Sequence, residues 1–128
     1  MSSMSFHDLP GRAGTVGYSD IVVANGFAFL AGKVAADSPQ PVKLGSIEEE
    51  TRICLDLLSQ SLKLAGLGME NVVRSNVYLT DLAEFERMDA VYRTYFRSGK
   101  MPARTTIGAA TLVFGCRVEI DCVAVVPA

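Results

Sequence analysis

Met101–Val126 reads MPARTTIGAATLVFGCRVEIDCVAVV, and the rest of the chain is organised around it. Two strand-like runs stand in it, Pro102 to Ile107 and Arg117 to Val123. β-Branched and apolar residues dominate both, and Gly108 and Gly115 punctuate the segment between them. Alternation in the second run sends Val118, Ile120, Cys122, Ala124 and Val126 to one face, and Arg117, Glu119 and Asp121 to the other. In the first run Arg104 and Thr106 share a face. Joined as an antiparallel hairpin with its loop near Ala110 to Val113, the runs set Arg104 opposite Glu119 and Thr106 opposite Arg117, with facing Cβ atoms roughly 5 Å apart. A guanidinium and a carboxylate then share one sheet face. Two readings stay open on pattern alone: a cross-strand ion pair, or the two halves of a binding site.

Upstream, Tyr18–Val23 and Gly26–Gly32 are two short strands, with Asn25-Gly26 between them as a strong hairpin signal. Ser46-Ile47-Glu48-Glu49 is a capping-box start. From it Ile47, Thr51, Cys54, Leu57, Leu58, Leu62 and Ala65 recur at helical spacing until Gly66 and Gly68. Cys54 falls on that apolar stripe and is read as a small core residue. Asn71–Leu79 is a third strand, with Val73, Ser75, Val77 and Leu79 on one side. Thr80-Asp81 caps a second helix over about Leu82–Arg97, whose stripe is Phe85, Met88, Tyr92, Tyr95 and Phe96. The order hairpin, helix, strand, helix, hairpin defines an α+β fold with a five- to six-stranded sheet and two helices on one face. The uncovered face, carrying Arg104, Thr106, Arg117, Glu119 and Asp121 beside Val123 and Val125, fits a subunit interface with a site in its margin.

At 128 residues the chain is one domain by length, with the polar, glycine-rich residues 1–16 as a flexible tail. A net charge of −2 offers no general basic surface for nucleic acid or anionic lipid. Three widely spaced cysteines argue against a disulfide framework or a metal motif, and the single histidine, His7, supplies neither a zinc site nor a catalytic triad. The N-terminus lacks a basic region followed by an apolar stretch, and the run Gly26–Ala36 is broken by Lys33 and is too short to span a bilayer. The expectation is a soluble cytoplasmic protein.

Neither a dinucleotide nor a phosphate-loop glycine pattern occurs. What remains is Arg104 with Glu119. Arginine offers a rigid fork suited to a carboxylate, and a nearby glutamate can orient and deprotonate water. Together they fit hydrolysis of a small carboxylic acid with an electrophilic α-carbon, which needs no cofactor.

The residues also carry a resemblance. Tyr18 with Gly32 fourteen positions later, Tyr92-x-x-Tyr95-Phe96, Pro102-Ala103-Arg104-Thr105 and Val118-Glu119-Ile120-Asp121-Cys122-Val123-Ala124 are similar to the RidA (YjgF/YER057c/UK114) family over about Gly17–Val126. The resemblance implies a chorismate-mutase-like fold assembled as a homotrimeric barrel, with ligand clefts between neighbouring subunits. It implies an enamine/imine deaminase acting on 2-aminoacrylate and related 2-imino acids to give 2-oxo acids and ammonia. It assigns Arg104 to the substrate carboxylate, Glu119 to water, Tyr18 to the cleft lining and Gly32 to close backbone approach.

The chain departs from the family pattern at Thr106, where the best-known deaminases have cysteine. It departs at Ala31-Gly32-Lys33, where Ser-Gly-Gln is common, and at Asp89, where asparagine is common. These positions are expected to line the site, and an added cation at Lys33 would favour a larger or more acidic imino acid. Two other functions compete. One is a non-catalytic trimeric binder or sensor of small carboxylates, which would use the same Arg104. The other is an endoribonuclease or translation inhibitor, which the acidic balance and the lack of a basic-aromatic stripe oppose.

Overall fold

Asn25 (φ 52°) and Gly26 (φ 81°) both adopt the left-handed conformation, the requirement of a two-residue hairpin turn. The turn joins β2 (Ile21–Ala24) to β3 (Phe27–Lys33), with Ile21 opposite Leu30 and Ala24 opposite Phe27. The computed structural model describes residues 3–128; Met1 and Ser2 lie outside the described residues. The tail expected over residues 1–16 is in large part built into the fold. Met4–His7 form β1, antiparallel to β2, and beyond it the Leu9 N–H donates to the Asp20 carboxylate at 2.8 Å.

The first long helix, α1 (Ile47–Leu64), begins where expected, its Ser46 hydroxyl accepting the Glu49 N–H at 3.3 Å. Acidic residues in its first turn suit the positive end of the helix dipole. Ile47, Cys54, Leu55, Leu58 and Leu62 are buried along one stripe, each large aliphatic side chain contributing about 1.5–3 kcal/mol by leaving water. Buried Glu50 accepts the N–H groups of Gly45 (2.9 Å) and Arg117 (2.8 Å), tying the loop before α1 to the start of the last strand.

The remaining elements are β4 (Val72–Leu79), α2 (Phe85–Tyr92), β5 (Ala103–Gly108) and β6 (Val118–Val125). Helix α2 is shorter than the expected Leu82–Arg97, because 3-10 turns occupy both ends, Leu82–Glu84 and Arg93–Tyr95. The sheet order is β1-β2-β3-β6-β4-β5. Every pairing is antiparallel except β4 with β5.

That exception overturns the final hairpin. β5 and β6 are not neighbours; β4 lies between them, with Ser75 beside Arg104 and Tyr78 beside Glu119. A parallel pair needs a crossover, and α2 supplies it, making β4-α2-β5 a strand-helix-strand unit. The loop between β5 and β6 cannot be a tight hairpin either. It carries a 3-10 turn, Val113–Gly115, in which Phe114 has φ 59°. Arg104 and Thr106 therefore point to the helix-covered face with Ser75 and Val77, while Glu119 and Asp121 point to the open face with Tyr78 and Asn76. Arg117 lies just before β6 and reaches Glu84 at 3.1 Å.

In β4, a register shift between Val72 and Arg74 puts Val72 into the core and leaves Val73 43% exposed, against the alternation expected there. The core lies between the helices and one sheet face, where Ile21, Ala28, Leu30, Val77, Leu79, Val118, Ile120, Cys122 and Ala124 meet α1, Met88 and Tyr92. Met4, Phe6, Phe27, Phe29 and Val125 stand exposed on the opposite face.

Candidate functional site

The site residues divide into two groups. Arg104 sits on edge strand β5 against α2, its guanidinium 4.7 Å from the centre of the Tyr92 ring and 5.4 Å from that of Phe85. Its Nη1 donates to Asp89 Oδ1 at 2.6 Å. Tyr92, one turn after Asp89, hydrogen-bonds Ser75 on β4, which fixes the ring as a platform. Asp89, Tyr92, Ser98, Met101, Pro102 and Arg104 line a shallow cavity of about 400 Å³. Thr106 lies on the same face two residues on, with its buried hydroxyl unpartnered among the described residues.

The second group surrounds a larger cavity of about 980 Å³, lined by Tyr18, Gly32, Glu119, Arg12, Val34 and Phe114 among others. Glu119 and Gly32 touch there. A Cβ built on Gly32 would lie 2.6 Å from Glu119 Oε2 and 3.2 Å from its carboxyl carbon, so glycine is needed for space rather than for backbone conformation. Burial pushes the Glu119 carboxyl above its ordinary range, and the charges of Asp121 and Asp37 add to the effect. Burial and the Asp37 charge likewise raise the Tyr18 phenol, outweighing the opposing effect of Arg12.

The pairing of Arg104 with Glu119 across a hairpin does not occur. They occupy opposite faces of the sheet, on strands separated by β4. Asp89 joins Arg104, and Tyr18 and Gly32 join Glu119. Lys33 joins neither cavity. Its side chain is fully buried and its ammonium is bound by the equally buried Asp20 carboxylate, so the added cation expected at this position is directed into the protein. Burial alone would raise the Asp20 carboxyl. The hydrogen bonds from Lys33 and the Leu9 N–H, with the Lys33 and Arg12 charges, hold it below its ordinary value.

Sequence reasoning missed three contributors. Arg12 lay in a segment read as a tail, Phe114 in a segment read as a hairpin loop, and Tyr92 in a stripe read wholly as core. The signal for Arg12 was its being the one cation among the glycines ahead of Tyr18. All three cysteines are buried, and burial pushes the Cys122 thiol up to about 12 and raises that of Cys116, so neither is poised as a nucleophile.

Comparison with known proteins agrees with this architecture. Residues 12–126 match the family described as Endoribonuclease L-PSP. A RutC family protein of Synechocystis is 41% identical over 113 residues, 86% of each chain. A mouse protein named 2-iminobutanoate/2-iminopropanoate deaminase is 37% identical over 109 residues, 84% of this chain and 80% of its own. Among solved structures, a Rid family protein of Yersinia pestis superimposes with a TM-score of 0.87 at 26% identity, covering 97% of this chain and all of its own. The chain belongs to this family, the RidA or YjgF/YER057c/UK114 family.

Two expectations follow for the separate groups. Gly32→Ala should displace the Glu119 carboxylate and cost about tenfold or more in any hydrolysis that uses it. Its melting temperature should barely move, because the displaced atoms are the flexible end of a side chain; kinetics beside a thermal melt check both. Asp89→Asn should strengthen carboxylate binding by roughly tenfold, because it removes the anion that occupies Arg104. Calorimetric titration with a 2-oxo acid reads that gain, and unchanged affinity would count against it.

Proposed function

We propose that the protein is a cofactor-independent enamine/imine deaminase that works as a homotrimer. One observation carries the reading: Arg104 and Glu119 lie on opposite faces of one chain, each in its own open cavity. A cleft between neighbouring copies would join the Arg104 group of one to the Glu119 group of the next. The open sheet face supports such an assembly, since Phe27 and Phe29, 43% and 48% exposed, stand there with Met4, Phe6 and Val125. The deaminase names of the mouse and human relatives support the chemistry.

In this cleft Arg104 holds the substrate carboxylate while the enamine tautomerises to the imine. Water adds to the α-carbon, its proton passing to Glu119, and the C=N electron pair moves onto nitrogen. Glu119 returns that proton to nitrogen, and the carbinolamine collapses as its hydroxyl proton passes by way of Glu119 to nitrogen, the C–N bond breaks, and a 2-oxo acid and ammonia form. The raised Glu119 carboxyl is a stronger base than an exposed glutamate. RNA cleavage is less well supported: His7, the chain's single histidine, lies on strand β1, where it hydrogen-bonds exposed Ser5 and lines neither cavity.

The test generates 2-aminoacrylate in situ with a pyridoxal-phosphate lyase and follows pyruvate release. The protein should accelerate release, and light scattering should give the mass of three copies. No acceleration across a broad set of 2-imino acids would sink the deaminase reading. A monomer with full turnover would sink the shared cleft.

A further inference from the structure

Arg12 is the cation that the large cavity offers a ligand. It lines that cavity, packs 5.5 Å from the centre of the Tyr18 ring and donates from Nη2 to the Tyr18 hydroxyl oxygen. With its oxygen accepting from Arg12, the Tyr18 hydroxyl keeps its proton for another acceptor. Guanidinium and phenol thus present adjacent donors, an arrangement that suits a carboxylate.

The Arg12 charge is only partly met within the chain. Asp20 is its nearest carboxylate, with Oδ2 3.2 Å from Arg12 Nε, yet buried Nε makes no hydrogen bond among the described residues. Asp20 is already in use, Oδ1 by Lys33 and Oδ2 by the Leu9 N–H. One carboxylate therefore serves two cations. Asp37, on the same wall, accepts the Val34 N–H at 3.0 Å, and its charge reaches Arg12 and Tyr18 without forming an ion pair with Arg12 among the described residues. The cavity of the single chain is about 980 Å³ before a neighbouring copy covers part of it, and the Arg12 wall leaves room for a substrate longer than a three-carbon acid.

We infer that Arg12, with the Tyr18 hydroxyl, recognises a second carboxylate at the far end of the substrate, so that the preferred substrates are 2-imino acids with an acidic side chain. The inference rests on the deaminase reading, in which Arg104 takes the α-carboxylate. Arg12 determines specificity and stands outside the bond-making steps.

The experiment compares 2-iminoglutarate with its side-chain amide, made in limiting amounts by an amino-acid oxidase, with 2-aminoacrylate as the small reference substrate. Calorimetry with the two corresponding 2-oxo acids gives a second readout that needs no turnover. Wild type should prefer the diacid by about tenfold or more in kcat/KM and in product affinity, as expected for one well-placed charged contact. Arg12→Gln should lower that acid-to-amide ratio to near one, and Arg12→Lys should restore part of it, which a merely structural role for Arg12 would not do. Equal use of acid and amide by wild type, or an Arg12→Gln ratio equal to that of wild type, would overturn the inference. If 2-aminoacrylate is still accelerated, that failure leaves the deaminase reading standing. If no imino acid is accelerated, both fall.

Discussion

Arg104→Ala is expected to lower kcat/KM for 2-imino acids by on the order of 10²–10³-fold, the usual cost of truncating one partner of a desolvated charge pair. The loss comes from two features of its setting. The guanidinium is held against the Tyr92 and Phe85 rings, which limits where its donors can point before any ligand arrives. Ser75 hydrogen-bonds Tyr92 and so keeps that platform in place. Arg104→Lys should recover only part of the activity, because a point charge cannot reproduce the fork. Neither variant should melt far below wild type, since Arg104 lies on an edge strand outside the hydrophobic cluster. Coupled pyruvate release and a thermal melt, measured together, decide the matter. Activity within a factor of two of wild type in Arg104→Ala would remove this residue from the site. Activity should also fall toward acid pH at values above the ordinary glutamate range, because Glu119 must be ionised to take a proton and burial raises its carboxyl.

The second large effect is on stability. Asp20→Asn leaves Lys33, fully buried, without its carboxylate, and breaking a buried pair from one side typically costs about 3–5 kcal/mol. A drop in melting temperature on the order of 10 °C is expected. The pH dependence has a definite sign. The Asp20 carboxyl is held below its ordinary value of 3.8, so the pair's contribution is complete above that value and is lost as pH falls through the lowered one. The gap between wild type and Asp20→Asn should therefore be constant from neutral pH down to about 5 and close only in stronger acid. The double variant Asp20→Asn/Lys33→Met should regain much of the loss, because it removes the unpaired buried ammonium that the single variant leaves behind. A double variant as unstable as the single one would mean that Asp20 acts chiefly through Arg12 and Leu9.

Much of the fold was legible because it is written in local terms. The Asn25-Gly26 turn, the Ser46 cap and the alternation in β6 are short-range signals, and each appears where the residues put it. The tail was misjudged for a related reason. Met4–His7 has no strong strand pattern of its own and becomes a strand by pairing with β2. The shift between Val72 and Arg74 is equally invisible, since a bulge is set by the partner strand.

The site followed the same division. Arg104, Glu119, Tyr18 and Gly32 could be chosen from the sequence because motif and chemistry single them out. Their grouping could not, because strand neighbours are a property of the whole sheet: two runs adjacent in the sequence had the look of a hairpin until α2 carried the chain across and set β4 between them. The sequence by itself determined the family, most of the strands and both helices, and which residues are candidates for binding a carboxylate and activating water. Only the tertiary structure decided that Arg104 and Glu119 face opposite sides of the sheet, that Lys33 is bound inward by Asp20, and that Arg12 is the cation turned toward the cavity. Local chemistry fixes what a side chain can do, but long-range pairing and burial fix what it meets.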